Sequence, residues 1–212
     1  MTIDFKKEYK DLYQPKTTPS IIDLSEMVFI AVDGNGDPNT SEEYKNTLEL
    51  LYGLSYSIKM SKMSGTQPEG YFEYVVPPLE GLWWSEDGTF DGANVTDKNK
   101  LCWTSMIRQP DFVTPEVFEF AKISLAKKKT GVDTSNARLE KFTEGLCVQV
   151  MHIGSYDDEP VTIAEMERYA VESGYVIDIN DFRRHHEIYF SDPRKVAPEK
   201  LKTIIRHPIR KR

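Results

Sequence analysis

Cysteine is nearly missing: Cys102 and Cys147 are the only two in 212 residues. They form no CxxC pair and no zinc-type spacing, and each lies in an apolar, strand-like run, so two buried free thiols are expected. Long apolar runs are missing as well, and none approaches the length of a membrane span. The opening Met1-Thr2-Ile3-Asp4-Phe5-Lys6-Lys7 holds no signal-type apolar region, which points to a soluble cytoplasmic protein. Positive charge is in deficit. Asp and Glu number 34 against 27 Lys and Arg, a net charge of −7, so no general attraction to nucleic acid is expected. The basic run Arg206-His207-Pro208-Ile209-Arg210-Lys211-Arg212 reads as a solvated terminus. There is no Gly-x-Ser-x-Gly and no Cys–His pairing for covalent catalysis. The glycines of Asp33-Gly34-Asn35-Gly36 lack a following Gly-Lys-Ser/Thr, so they read as turn chemistry rather than a phosphate loop. His185 and His186 are neighbours on a strand and point to opposite faces, which excludes a two-ligand metal site. Neither a metal nor a cofactor is expected.

Aromatic residues are abundant, with 11 Tyr, 10 Phe and 3 Trp. Residues 26–32 form a near-continuous apolar strand. Thr40-Ser41-Glu42-Glu43 reads as a capping box with Thr40 as N-cap, opening a helix to about residue 61. Tyr71–Val76 reads as a strand stopped by Pro77-Pro78, followed by strands at Leu82–Trp84 and Leu101–Ile107. Thr114-Pro115 starts a helix that ends near Lys127–Lys129. A strand over 145–153, a second capping box at Thr162–Glu165 with a helix to Gly174, and strands at 185–190 and 201–206 complete the chain.

The two halves rhyme. Each runs strand, Gly/Asp/Pro loop, boxed helix, strand, strand, which predicts one sheet built about a pseudo-twofold axis. The organisation is therefore one domain over 1–212, with repeat 1 at about 26–107, repeat 2 at about 145–209 and an N-terminal arm at 1–25. The second half centres on His185-His186-Glu187-Ile188-Tyr189-Phe190. Its period of two puts Glu187 and Tyr189 on one face, with His186, Ile188 and Phe190 on the other. If the apolar face meets the helices, Glu187 lies on the helix-free side. A groove along the repeat axis would there be lined by Tyr71, Glu73, Trp103, His152, Glu187 and Tyr189.

These features resemble the GyrI-like small-molecule-binding family, the fold of the gyrase inhibitory protein and of the ligand domains of the BmrR and Rob regulators. The resemblance rests on His152-Ile153-Gly154-Ser155-Tyr156, the helix at 162–173, Glu187-Ile188-Tyr189 with Asp192-Pro193, and the run from Pro198 to Ile209. It implies an α+β fold, a tandem βαββ repeat of SHS2-like type, with helices on one face of a curved antiparallel sheet. The Trp-rich stretch around 82–103 is similar to the stand-alone branch of the family, members of which hydrolyse cyclopropane-bearing DNA-alkylating compounds. The resemblance then implies Glu187 as the base that activates water, its carboxyl raised toward working pH by desolvation. Tyr71 or Tyr156 would hydrogen-bond the oxyanion. Tyr74, Trp84, Trp103, Met106, Phe112, His152 and Tyr189 would complete a pocket for a planar aromatic ligand. Binding without chemistry and a protein-interaction role of gyrase-inhibitor type are the alternatives. A monomer or weak dimer is expected.

Overall fold

The structure is a computed structural model that describes residues 2–212. Its strands are β1 (Ser20–Leu24), β2 (Met27–Asn35), β3 (Leu79–Trp84), β4 (Cys102–Gln109), β5 (Arg138–Phe142), β6 (Gly145–Ile153), β7 (Tyr175–Ile177), β8 (His185–Tyr189) and β9 (Lys202–Lys211). The helices are α1 (Phe5–Glu8), α2 (Lys10–Tyr13), α3 (Glu42–Lys59), α4 (Pro115–Lys128) and α5 (Glu159–Glu172). All nine strands join one antiparallel sheet in the order β1-β6-β9-β8-β3-β4-β2-β5, with β7 on the end of β9. The order reads the same from either side of the β3–β8 seam. β8-β9-β6 answers β3-β4-β2, and α5 answers α3, so the fold is a tandem βαββ repeat about a pseudo-twofold axis.

Alternation along the strands sends Ile30, Val32 and Ile107 to one face, where they meet Leu50, Leu51, Leu54 and Ile58 of α3. Val148, Val150 and Ile205 turn to the same face and meet Ile163, Met166 and Ala170 of α5. Each helix has one apolar stripe and buries it on its own strand pair. α4 pads the back of α3 through Phe118, Ala121 and Leu125. Among the described residues no helix is long and apolar enough to cross a membrane.

The other face carries a second core of Leu24, Met27, Phe29, Ala31, Met106 and Cys147. The N-terminal arm covers its middle. Phe5 and Tyr13 pack there with Tyr74, Ile188 and Ile204. Beneath them lies a closed polar network. His186 stands 3.1 Å from Glu80 and 2.9 Å from Glu144, and Arg206 stands 3.4 Å from Glu144. Tyr13 donates to Glu80 at 3.1 Å, and Arg206 donates to the Leu12 carbonyl at 2.5 Å.

Several local expectations are corrected. Residues 71–76 are not a strand of the sheet; Tyr74 makes a lone bridge to Ile3, and the middle strand of the first repeat is β3. The aromatics there turn into the core under the arm. The cap of α3 is Ser41, which accepts from the Tyr44 amide at 3.2 Å, one residue beyond the expected Thr40. α5 starts at Glu159 with Pro160 in its first turn, so Thr162 is a helical residue and not a cap. The basic C-terminal run is largely strand: Arg206 and His207 are fully buried in β9. The arm forms two short helical turns and adds β1 to the sheet edge.

A carboxylate cleft between the two helices

Glu187 lies on the helix side of the sheet, not on the helix-free side. In register it faces Gly81 of β3 and Ile205 of β9. α3 and α5 stand over the outer strands of each repeat, so the sheet between them is left open along the β3–β8 seam. The strand alternation was legible, but the apolar face of β8 meets the N-terminal arm through Ile188 and Phe190 and not the helices.

The seam residues converge there. Gly81 has no side chain, and a Cβ at this position would come within 2.7 Å of Trp83 Nε1 and 3.2 Å of the Tyr189 hydroxyl. Its absence lets the Trp83 indole lie across the strand and donate to the Tyr189 hydroxyl at 2.8 Å. Trp103 is wholly buried on Gly34, and a Cβ on Gly34 would sit 2.2 Å from its ring. Trp103 in turn supports Tyr44 edge-on at 5.1 Å. Tyr44 comes from the first turn of α3, and Glu159 from the first turn of α5. Tyr156 precedes α5 and meets Tyr189 edge-on at 6.1 Å.

The electrostatics divide the two carboxyls. Burial alone would raise Glu187, but the His185 hydrogen bond at 2.9 Å and the neighbouring imidazole outweigh it, so Glu187 is held below the usual range. The expected upward shift falls instead on Glu159. Burial first, and then the charge of Glu187, push that carboxyl well above the usual range, toward its protonated form. The phenols are held protonated in the same way. Burial, followed by Glu187, raises Tyr44 and Tyr189, and it pushes Tyr156 up to about 12. The cleft thus offers a carboxyl biased toward its anion, ringed by a carboxyl biased toward its acid form, three phenols and an indole. That set contains a base together with donors for a developing oxyanion.

Of the residues expected from sequence, Glu187, Tyr189, Tyr156 and Trp103 meet here, with Trp103 as a buried support. His152 is on the same face of β6, but both its nitrogens are taken, by Thr162 at 2.8 Å and by the Ser155 carbonyl at 3.0 Å. Tyr71, Tyr74 and Phe112 are elsewhere, in an aromatic cluster with Phe72. The Tyr71 hydroxyl donates to the Lys59 carbonyl at 2.6 Å, so it does not serve Glu187. Tyr74 has no exposed surface. Met106 packs on Phe29 and Ala31 beneath the sheet. Trp84 also faces away from the cleft, with Arg184 over its ring at 4.9 Å. Glu73 is exposed and pairs with Lys62 at 2.5 Å. Sequence reading missed Tyr44, Gly81, Trp83, Glu159 and His185. Gly81 two residues ahead of Trp83 was the available signal, because a glycine inside a strand marks a close approach.

A separate open cleft of about 680 Å³ runs between the arm and the far face, lined by residues including Lys16, Met151, Phe190 and Lys202. It brings no base and no acid together.

The sequence model of the GyrI-like small-molecule-binding domain matches residues 17–210. An uncharacterized conserved protein from Listeria innocua is 52% identical, with 99% of this chain and 100% of that one covered at a TM-score of 0.93. A hydrolase from Listeria innocua is 49% identical, with 99% and 100% covered at a TM-score of 0.90. The C-terminal domain of EcmrR shares the fold at 12% identity and a TM-score of 0.51, over 92% of this chain and 98% of that one. No curated protein matches.

Proposed function

Because the chain belongs to the GyrI-like small-molecule-binding domain family, we propose that it holds a planar aromatic molecule over Glu187 and hydrolyses an electrophilic cyclopropane in it. One observation carries the reading. A buried carboxyl biased toward its ionised form faces a buried carboxyl biased toward its protonated form, inside a cleft walled by Trp83, Tyr44, Tyr156 and Tyr189. The hydrolase-named relative at 49% identity supports hydrolysis as the reaction class.

In the proposed reaction, Glu187 takes a proton from water while the water oxygen bonds to the cyclopropane carbon. The strained C–C bond breaks, and its electrons pass into the conjugated dienone to make a phenolate. Glu159, still protonated, and Tyr156 at the rim donate hydrogen bonds to the developing oxyanion. The aromatic walls orient the flat ring by stacking.

Glu187→Gln keeps the size of the side chain and its acceptor for His185, but removes the base. We expect it to bind a cyclopropane-bearing indole with wild-type affinity and to lose single-turnover ring opening by about 10²–10⁴-fold. Equal loss of affinity and turnover would make Glu187 a recognition residue. Stoichiometric protection without turnover by the wild type would leave sequestration as the function.

A further inference from the structure

Behind Glu187, three more titratable groups stand in a row. His185 Nε2 is 2.9 Å from Glu187 Oε1, and His185 Nδ1 is 2.7 Å from His207 Nε2. His207 Nδ1 is then 2.8 Å from Glu167 Oε1. The imidazoles are 1% and 0% exposed, while the Glu167 side chain, on α5 beside its buried stripe, is 37% exposed. The row therefore starts in the cleft and ends in water.

Counting hydrogens shows what such a row can do. Three hydrogen bonds need three protons. Two neutral imidazoles bring one each, because a neutral ring carries a single N–H. The third is an extra proton that belongs to the row as a whole. With it on Glu187, each imidazole donates through Nδ1 and accepts through Nε2. With it on Glu167, each donates through Nε2 and accepts through Nδ1. The two states interconvert when three protons each cross their own hydrogen bond, and no heavy atom has to travel.

We propose that His185, His207 and Glu167 are a proton relay that links Glu187 to solvent. The proposal rests on the reading of Glu187 as a general base. Each turnover leaves the proton of water on Glu187, and that proton must leave before the next. It passes from Glu187 to His185 Nε2. The His185 Nδ1 proton passes to His207 Nε2, the His207 Nδ1 proton passes to Glu167, and Glu167 releases it to water. One proton enters and one leaves. The imidazoles are left in the opposite tautomer, and rotation of the two rings restores them, since return of the protons along the row would only recharge Glu187.

The surroundings suit conduction rather than trapping. Phe90 meets His185 edge-on at 5.3 Å, and the backbone of Gly92 closes over His207. The ionisable groups around Glu187 are Glu159 of α5, Tyr44 of α3, Tyr156 and Tyr189. Around His207 they are His185 and Glu167, with the Gly92 backbone as the remaining polar partner. Burial holds His207 toward its neutral form, so it can pass a proton without keeping one. His186 is the internal contrast. It is clamped between Glu80 and Glu144, which are 1% and 5% exposed, and its network reaches no solvent.

The test uses Glu167→Gln, a change at the surface that leaves the core packing intact. Imidazole ¹⁵N spectra of the full-length protein without substrate report both histidines across pH. A relay requires that Glu167→Gln shift the His185 titration as well as that of His207, and that Glu187→Gln shift His207. A His185 titration indifferent to Glu167→Gln overturns the relay, whatever the turnover. With a cyclopropane-bearing indole, Glu167→Gln should bind as the wild type does, turn over about tenfold more slowly at low buffer, and regain rate as buffer concentration rises. An unchanged rate, or a loss that buffer does not restore, also overturns it. Coupled histidines in a protein that never turns over would instead uphold the relay and count against the hydrolase reading.

Discussion

At the scale of single residues, the cleft depends on two carboxyls in opposite states. The Glu159 carboxyl is raised on folding, so the folded protein favours its protonated form. That preference carries a penalty which is absent below about pH 4.5, the ordinary glutamate range, and which grows as pH rises above it. Glu159→Gln removes the penalty. Its thermal midpoint should exceed that of the wild type at pH 8, and the advantage should vanish toward pH 4; an equal difference at both would detach Glu159 from the electrostatics. Steric fit is equally local. Gly34→Ala forces a methyl into the Trp103 ring and should destabilise by about 1–3 kcal/mol, as overpacking does. In a Trp103→Leu background the added cost of Gly34→Ala should shrink. Denaturant titration of the four proteins checks it, and additive costs would show that the ring is not what Gly34 accommodates.

At the scale of elements, the arm over the far face matters through the buried network it seals. Burial opposes both charges, yet Glu144 is held down at about 2 by His186 and Arg206. His186 is raised to about 9 by Glu144 and Glu80. The Glu144 contribution is present above about pH 4.5 and is lost as pH falls toward 2. The His186 contribution is complete below about pH 6.5 and is lost as pH rises through 9. The network therefore stabilises most between about pH 4.5 and 6.5. Urea unfolding across pH should peak in that window, and Tyr13→Phe, which strips Glu80 of a donor, should lower the peak by about 1–3 kcal/mol. The elements also show where sequence stops being legible. β2, β4, β6 and β8 carried apolar or alternating runs, and α3 and α5 carried stripes, so each was readable. Residues 71–76 had the aromatic content of a strand, but their partners are the arm and Phe112, which no local pattern announces. β3 was read three residues short because Leu79-Glu80-Gly81 looks like a loop. Glu80 is buried only because His186 and Tyr13 meet it from elsewhere in the chain.

At the scale of the whole molecule, the pseudo-twofold repeat was legible from its order of elements, and its axis passes through the β3–β8 seam. Which face the cleft occupies was not legible. That depends on where two helices stop, and a stripe fixes which side of a helix is buried without fixing how much sheet it covers. The site was accordingly half readable: Glu187, Tyr156 and Tyr189 lay beside a recognisable strand. Glu159 and Glu167 join it only through the packing of α5 on the sheet, and His207 only through the pairing of β9 with its neighbours.

The three consecutive residues His185, His186 and Glu187 belong to different systems, two above the sheet and one below. Shifting β8 by one position would exchange them, sending His186 into the cleft and dropping Glu187 among the arm's aromatics. The stretch from Asp178 to Arg184 sets that position. Arg183 anchors it at 2.6 Å to Asp178 and at 2.7 Å to the Leu146 carbonyl. Insertions and deletions should therefore be purged from this short stretch over evolutionary time.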